Sequence, residues 1–207
     1  MNLKIVEGKL ELFEIIVSLY YSFYKELREK QGWSIGSIEE YKKEVKRMLE
    51  KDKFFVAFVN EFPAGFVRIS ERDGAYWIEE VFVKPEFRGK GIGRALVEEA
   101  ERYIRQYDSV AYVMVLPQDL NAIKFWLRMR YNILNTIELA KDLSQEKVPM
   151  RTLEVFGFPL LIYKWNKENF GFLEEEFLKL LEKFFERFGR EDFLKIVCDA
   201  LKKALKE

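Results

Sequence analysis

The hexapeptide Arg88-Gly89-Lys90-Gly91-Ile92-Gly93 constrains this chain more than any other stretch. It lies between a strand-like apolar run, residues 77–83, and a run with helical spacing, residues 92–107. A strand that feeds a glycine-rich turn opening a helix is an anion cradle. The first turn of a helix leaves backbone N–H groups unpaired and carries partial positive charge. Glycines let that backbone approach a phosphate without a side chain between. Arg88, Lys90 and Arg94 add positive charge around it.

Two common cradles are excluded by spacing. The turn lacks the Gly-Lys-Ser/Thr ending of a P-loop, so ATP and GTP are disfavoured. It is not Gly-x-Gly-x-x-Gly, and no dinucleotide-type unit opens the chain. The pattern Arg88-x-x-Gly91-x-Gly93 instead resembles the coenzyme A signature of the GCN5-related N-acetyltransferase family. The wider string from Ile78 through Glu79, Glu80, Val81, Phe82, Val83, Lys84, Pro85, Glu86 and Phe87 into the loop is similar to that family's central strand and turn.

The order of elements is the one this resemblance implies. Residues 3–6 alternate as a strand, and residues 10–30 carry apolar side chains at helical spacing. Ser37 and Glu40 form a Ser-x-x-Glu capping box that starts a second helix. Residues 54–59 and 64–69 read as strands joined by a hairpin at Asn60, and residues 76–83 as the next strand. After the loop and its helix, residues 109–116 read as a strand, Asp119 caps a helix to about Arg130, and residues 132–139 are strand-like. The fold class is α/β, or α+β by some conventions: a mixed, mostly antiparallel sheet flanked by helices. The acetyltransferase-like domain is expected over residues 1–143, a linker over 144–152, and an extension over 153–207. That extension reads as a strand-like or extended block, residues 153–165, followed by two amphipathic helices.

Composition excludes several chemistries. The 207 residues contain no histidine and one cysteine, Cys198, which removes histidine bases, internal disulfides and Cys/His metal sites. A formal net charge of zero gives no global pull toward nucleic acid or an anionic membrane. No apolar run is long enough to span a bilayer, and acidic residues interrupt the N-terminal stretch, so a cytoplasmic protein is expected. Lysine and glutamate abundance with little glutamine hints at a thermophilic source. A homodimer is expected, formed through the apolar block at 153–165 or through the helical tail.

The resemblance implies acetyl-CoA as co-substrate, no metal, and a small-molecule or peptide amine as acceptor. It assigns the pyrophosphate to Arg88, Gly89, Lys90, Gly91, Ile92 and Gly93, with Arg94 near a phosphate. It assigns the thioester oxygen to backbone groups of Phe82 or Val83, freed where the strand splays from its neighbour, with Val81 beside the pantetheine. An attacking amine must lose a proton, directly or through water. Without histidine the candidates are Glu79 and Glu80, which as neighbours on a regular strand point to opposite faces. Where relatives carry Asn-x-x-Ala-x-x-Phe-Tyr, this chain has Asp119-Leu-Asn121-Ala-Ile-Lys-Phe-Trp126. Trp126 stands where the leaving-group tyrosine is expected. Its indole N–H donates a hydrogen bond but is no usable acid. The site therefore works without an acid, borrows Tyr131 or Tyr112, or only binds coenzyme A. An acceptor groove is expected around Tyr20, Tyr21, Tyr24, Trp33 and Glu39, with Trp126 opposite.

Overall fold

A five-stranded sheet in the order β1-β2-β3-β4-β5 organises the protein. Its strands are β1 (Leu3–Gly8), β2 (Lys53–Val59), β3 (Phe62–Arg72), β4 (Ala75–Val83) and β5 (Ala111–Val113). The first four pair antiparallel, and β4 pairs parallel with β5. The structure, a computed structural model, describes residues 1–143 and 150–164. Among these, no helix is long and apolar enough to cross a membrane.

Helices cover both faces. On one, α1 (Phe13–Gln31) and α2 (Ile38–Leu49) bury Ile16, Val17, Leu19, Tyr20, Tyr41 and Val45 against Phe54, Val56, Phe66 and Phe82 of the sheet. On the other, α3 (Ile92–Ile104) buries Ile92, Leu96, Val97, Ala100 and Ile104, and α4 (Leu120–Arg128) adds Trp126. These spacings of three and four place one apolar stripe on each helix. The capping box forms as expected: Glu40 N–H donates to Ser37 Oγ, and Glu40 Oε2 accepts from Ser37 N–H. Asp119 caps α4, accepting from Ala122 N–H at 2.9 Å.

Three expectations change. Residues 132–139 form no strand despite their alternation. Ile133 is 89% exposed and Leu139 72%. A strand needs a ladder partner for its backbone, and these residues have none among those described. The strand expected over 109–116 shrinks to Ala111–Val113, because β5 leaves β4 after Val113. The apolar block at 153–165 contributes to a hairpin of β6 (Met150–Val155) and β7 (Phe158–Tyr163), closed at Phe156 and Gly157, both at positive φ. β6 begins inside the stretch expected as a linker. The two expected C-terminal helices lie outside the described residues.

Candidate active site

The β4–β5 ladder stops at Ile78 and Val113. From Glu79 to Val83 no described strand pairs with the β5 side of β4, which forms a fork. Its backbone is aimed by β3. Lys84 N–H donates to Ala64 C=O at 2.8 Å. Strand alternation then turns the N–H groups of Lys84 and Phe82 toward β3, and those of Val81 and Val83 toward the fork. Val83 C=O accepts from Arg88 Nε at 2.8 Å on that open side. Of the two backbone groups expected at the thioester, Val83 thus faces the opening and Phe82 does not. The Phe82 side chain is buried beneath α1. Gly65 allows the close approach of β3 here, since a Cβ on it would lie 2.3 Å from Phe82 O.

At one end of the fork stands the glycine loop. Gly89 and Gly91 have φ of 74° and 79°, a region that favours glycine. Gly91 is the N-cap of α3 and supplies no side-chain cap. The N–H groups of the first turn, including Ile92 and Gly93, therefore remain open to an anion. Nothing lies within 4 Å of where a Cβ would stand on Gly89 or Gly91. The loop's cations already have partners. Arg88 is tied to Val83 C=O and, through Nη2, to Glu26 of α1 at 2.5 Å. It clamps the loop between strand and helix. Lys90 donates to Glu86 C=O at 3.0 Å, and exposed Arg94 pairs with Glu98 at 2.9 Å. Burial disfavours the Glu26 carboxylate, but Arg88 and Lys30 outweigh it and hold Glu26 below the usual carboxylate range.

At the other end stand the two glutamates, and they do not point to opposite faces. Arg68 pairs with Glu80 and Ile69 with Ile78, so Glu79 is an extra residue in β4. This β-bulge turns Glu79 to the same face as Glu80. The β3 residues that meet them, Arg68 and Ser70, confirm the shared face: Arg68 grips Glu80, and Ser70 Oγ donates to Glu79 Oε1. Glu80 is buried and fully engaged. It accepts from Arg68 Nε at 2.6 Å, Arg68 Nη2 at 2.8 Å and the Tyr24 hydroxyl at 3.1 Å. Arg68 also donates to Asp52 at 2.5 Å. Burial raises the Glu80 carboxyl above its usual range against the opposing pull of Arg68 and Tyr24. Glu79 is half-buried at the vertex of the fork, with Arg72 Nε 3.0 Å from its Oε1.

The remaining expected residues are dispersed. Trp126 lies in the core on the α3 face, edge-on to Phe125 and Tyr131, so it does not stand opposite the α1 tyrosines. Asn121 is exposed on the first turn of α4. Tyr20 is core, Tyr21 packs on Tyr41, and Trp33 is exposed beneath Arg28. Glu39 pairs with Lys42 at the surface. Only Tyr24 of that groove reaches a site carboxylate. Tyr131 is half-buried with its hydroxyl enclosed, and desolvation with the nearby Glu101 pushes the hydroxyl pKa well up, which makes it a poor acid. Tyr112 stacks on Trp77. Sequence reasoning missed Arg68, Asp52, Ser70, Arg72 and Trp77. The one available signal was Arg68, a lone cation inside an apolar strand.

A forked sheet with an anion cradle at one end and a carboxylate at the other defines an acyl-CoA-binding fold. The Acetyltransferase (GNAT) family profile matches residues 13–131, more than half of the chain, and the protein belongs to that family. An uncharacterized N-acetyltransferase of Methanocaldococcus jannaschii is 32% identical over 130 residues, covering 58% of this chain and 55% of that relative. The chain thus spans about half the length of that curated relative. The structure of AAC(6')-Iy with a CoA bisubstrate analogue is similar at a TM-score of 0.57 and 14% identity, covering 70% of this chain and 100% of that one. The PaiA N-acetyltransferase of Thermoplasma acidophilum, in complex with coenzyme A, is similar at 0.54 and 17%, covering 80% and 99%. At those identities the likeness is one of fold.

Proposed function

We propose that the protein transfers an acetyl group from acetyl-CoA to a primary amine by direct attack, with Glu79 as the base. The β4–β5 fork carries this reading. It offers two inward N–H groups between a pyrophosphate cradle and a carboxylate. Family membership, and related folds that hold coenzyme A or a CoA–aminoglycoside analogue, support the same co-substrate and an amine acceptor.

In this reading the loop residues 89–93 hold the pyrophosphate through backbone N–H groups. Arg88 keeps the loop in place rather than meeting the phosphate. Val83 N–H, with Val81 beside it, donates to the thioester oxygen as charge develops there. The ammonium sheds one proton to expose its lone pair and a second as the amide forms. Glu79 accepts each and passes it to water. The nitrogen–carbon bond forms, the carbon–sulfur bond breaks, and the thiolate leaves. A thiol pKa near 8.5 lets that thiolate depart near neutral pH without an acid. That suits a site whose tyrosine position holds a core tryptophan.

Glu79 is preferred to Glu80 because Glu80 already accepts three hydrogen bonds. Calorimetric titration with acetyl-CoA, followed by thiol release against mixed amines, tests the reading. Binding with amine-dependent release supports it. Binding without release for any amine, alcohol or other acyl-CoA favours a coenzyme A-binding module. A homodimer covering exposed Phe156, Phe158 and Leu161 belongs to the same reading, and a monomer by light scattering removes it.

A further inference from the structure

The contact between Arg72 and Glu79 has an unusual third partner. The Arg72 guanidinium carbon lies 4.1 Å from the centroid of the Trp77 ring. Trp77 in turn stacks on Tyr112 of β5, with centroids 5.1 Å apart and planes 29° apart. A cation held between an indole face and a carboxylate is how proteins bind alkylammonium groups. Here the cation comes from the chain itself. It sits at the vertex of the fork, against the carboxylate read above as the base.

Arg72 is poorly anchored for a structural ion pair. Its side chain is 42% exposed and it is the last residue of β3, at the Asp73-Gly74 turn. Arg68, two alternations earlier, is 10% exposed and grips two carboxylates. Glu79 does not depend on Arg72 for its orientation, since Ser70 Oγ also holds Oε1. The bulge aims Glu79 toward Ser70 and Trp77, and pairing of Trp77 with Ser70 places both on one face. Removing Arg72 would leave an indole wall and an oriented carboxylate.

We propose that Trp77 and Glu79 form the subsite for the acceptor's ammonium group, and that Arg72 occupies it in the free protein until a primary alkylammonium displaces it. The inference rests on the reading of the fork as an acetyl-transfer site and names the form in which its acceptor arrives. Arg72 is then a specificity device. A cation can replace it at the indole and the carboxylate, whereas a neutral alcohol gains neither contact and leaves Glu79 paired. The swap delivers the amine beside the group that takes its protons.

The test uses the full chain labelled with 15N at its four tryptophans. The Trp77→Leu variant identifies the Trp77 indole signal by its loss. n-Butylammonium is titrated at neutral pH, with n-butanol as the neutral control. The proposal expects butylammonium to move the Trp77 signal and butanol to leave it. It expects Arg72→Ala to tighten butylammonium binding roughly three- to tenfold, the worth of an exposed ion pair plus a cation–π contact. In turnover, Arg72→Ala should lower KM with kcat retained, whereas loss of a support for Glu79 would lower kcat. Arg72→Gln repeats the measurement if the alanine variant does not fold. An unmoved Trp77 signal in wild type and both variants overturns the proposal, as does weaker binding in Arg72→Ala. Acetyl-CoA titrated in the same tube separates this outcome from failure of the broader reading: if it binds while the amine does not reach Trp77, only the subsite falls.

Discussion

Arg68 holds Glu80 with two hydrogen bonds, from Nε at 2.6 Å and from Nη2 at 2.8 Å, inside the face that α1 covers. This fork-to-carboxylate contact pins β3 to β4 one residue from the bulge, so it fixes the direction of Glu79. Breaking a buried pair strands a charge. Arg68→Met should cost about 3–5 kcal/mol in urea unfolding. A loss below about 1 kcal/mol would show that the pair does not hold the bulge.

Glu79→Gln keeps the shape of the site and removes the proposed base. Turnover should fall by about 10²–10⁴-fold, the usual worth of a general base, with the acetyl-CoA dissociation constant unchanged. Glu80→Gln should instead act mainly on stability. If the two variants exchange these effects in paired kinetic and unfolding measurements, the base is Glu80.

Trp126→Tyr tests the departure at the tyrosine position. Trp126 is core, so the new hydroxyl would be buried without a designed partner and should cost about 1–3 kcal/mol. The pH profile of turnover should keep its shape. An acquired basic limb, with faster release, would mean that this position faces the leaving sulfur after all.

Glu26 links pH to the loop clamp. Arg88 and Lys30 hold its folded-state pKa below that of the unfolded chain, despite the opposing effect of burial. Its contribution to stability is therefore complete above the unfolded value, near pH 4.3, and is lost as pH falls through the folded value. Thermal melts of wild type and Glu26→Gln should differ most near pH 6, and the difference should shrink as pH falls below the usual carboxylate range. A constant difference across that range would separate Glu26 from this linkage.

The frame of the fold was legible because its signals are local. The Ser37–Glu40 box, the alternation of β1 to β4 and the glycines before α3 each act within a few residues. What stayed hidden is set between elements. Whether Glu79 and Glu80 share a face depends on how β4 registers against β3, which no spacing inside β4 reports. Trp126 stands at the tyrosine position of the resemblance, yet the face it takes is decided by how α4 joins the core on the α3 side. Residues 132–139 alternate like a strand, but alternation does not supply a partner. The acceptor of Arg88, Glu26, lies far away in sequence, so no spacing near the loop could show it.

In the proposed function, the open stretch of β4 carries out acetyl transfer with Glu79 as its base. Amine-dependent thiol release from acetyl-CoA, measured side by side for wild type and Glu79→Gln at saturating co-substrate, tests it most directly. Release is expected in wild type and a loss of about 10²-fold or more in the variant, with acetyl-CoA binding equal in both. Equal release rates from the two proteins would contradict it.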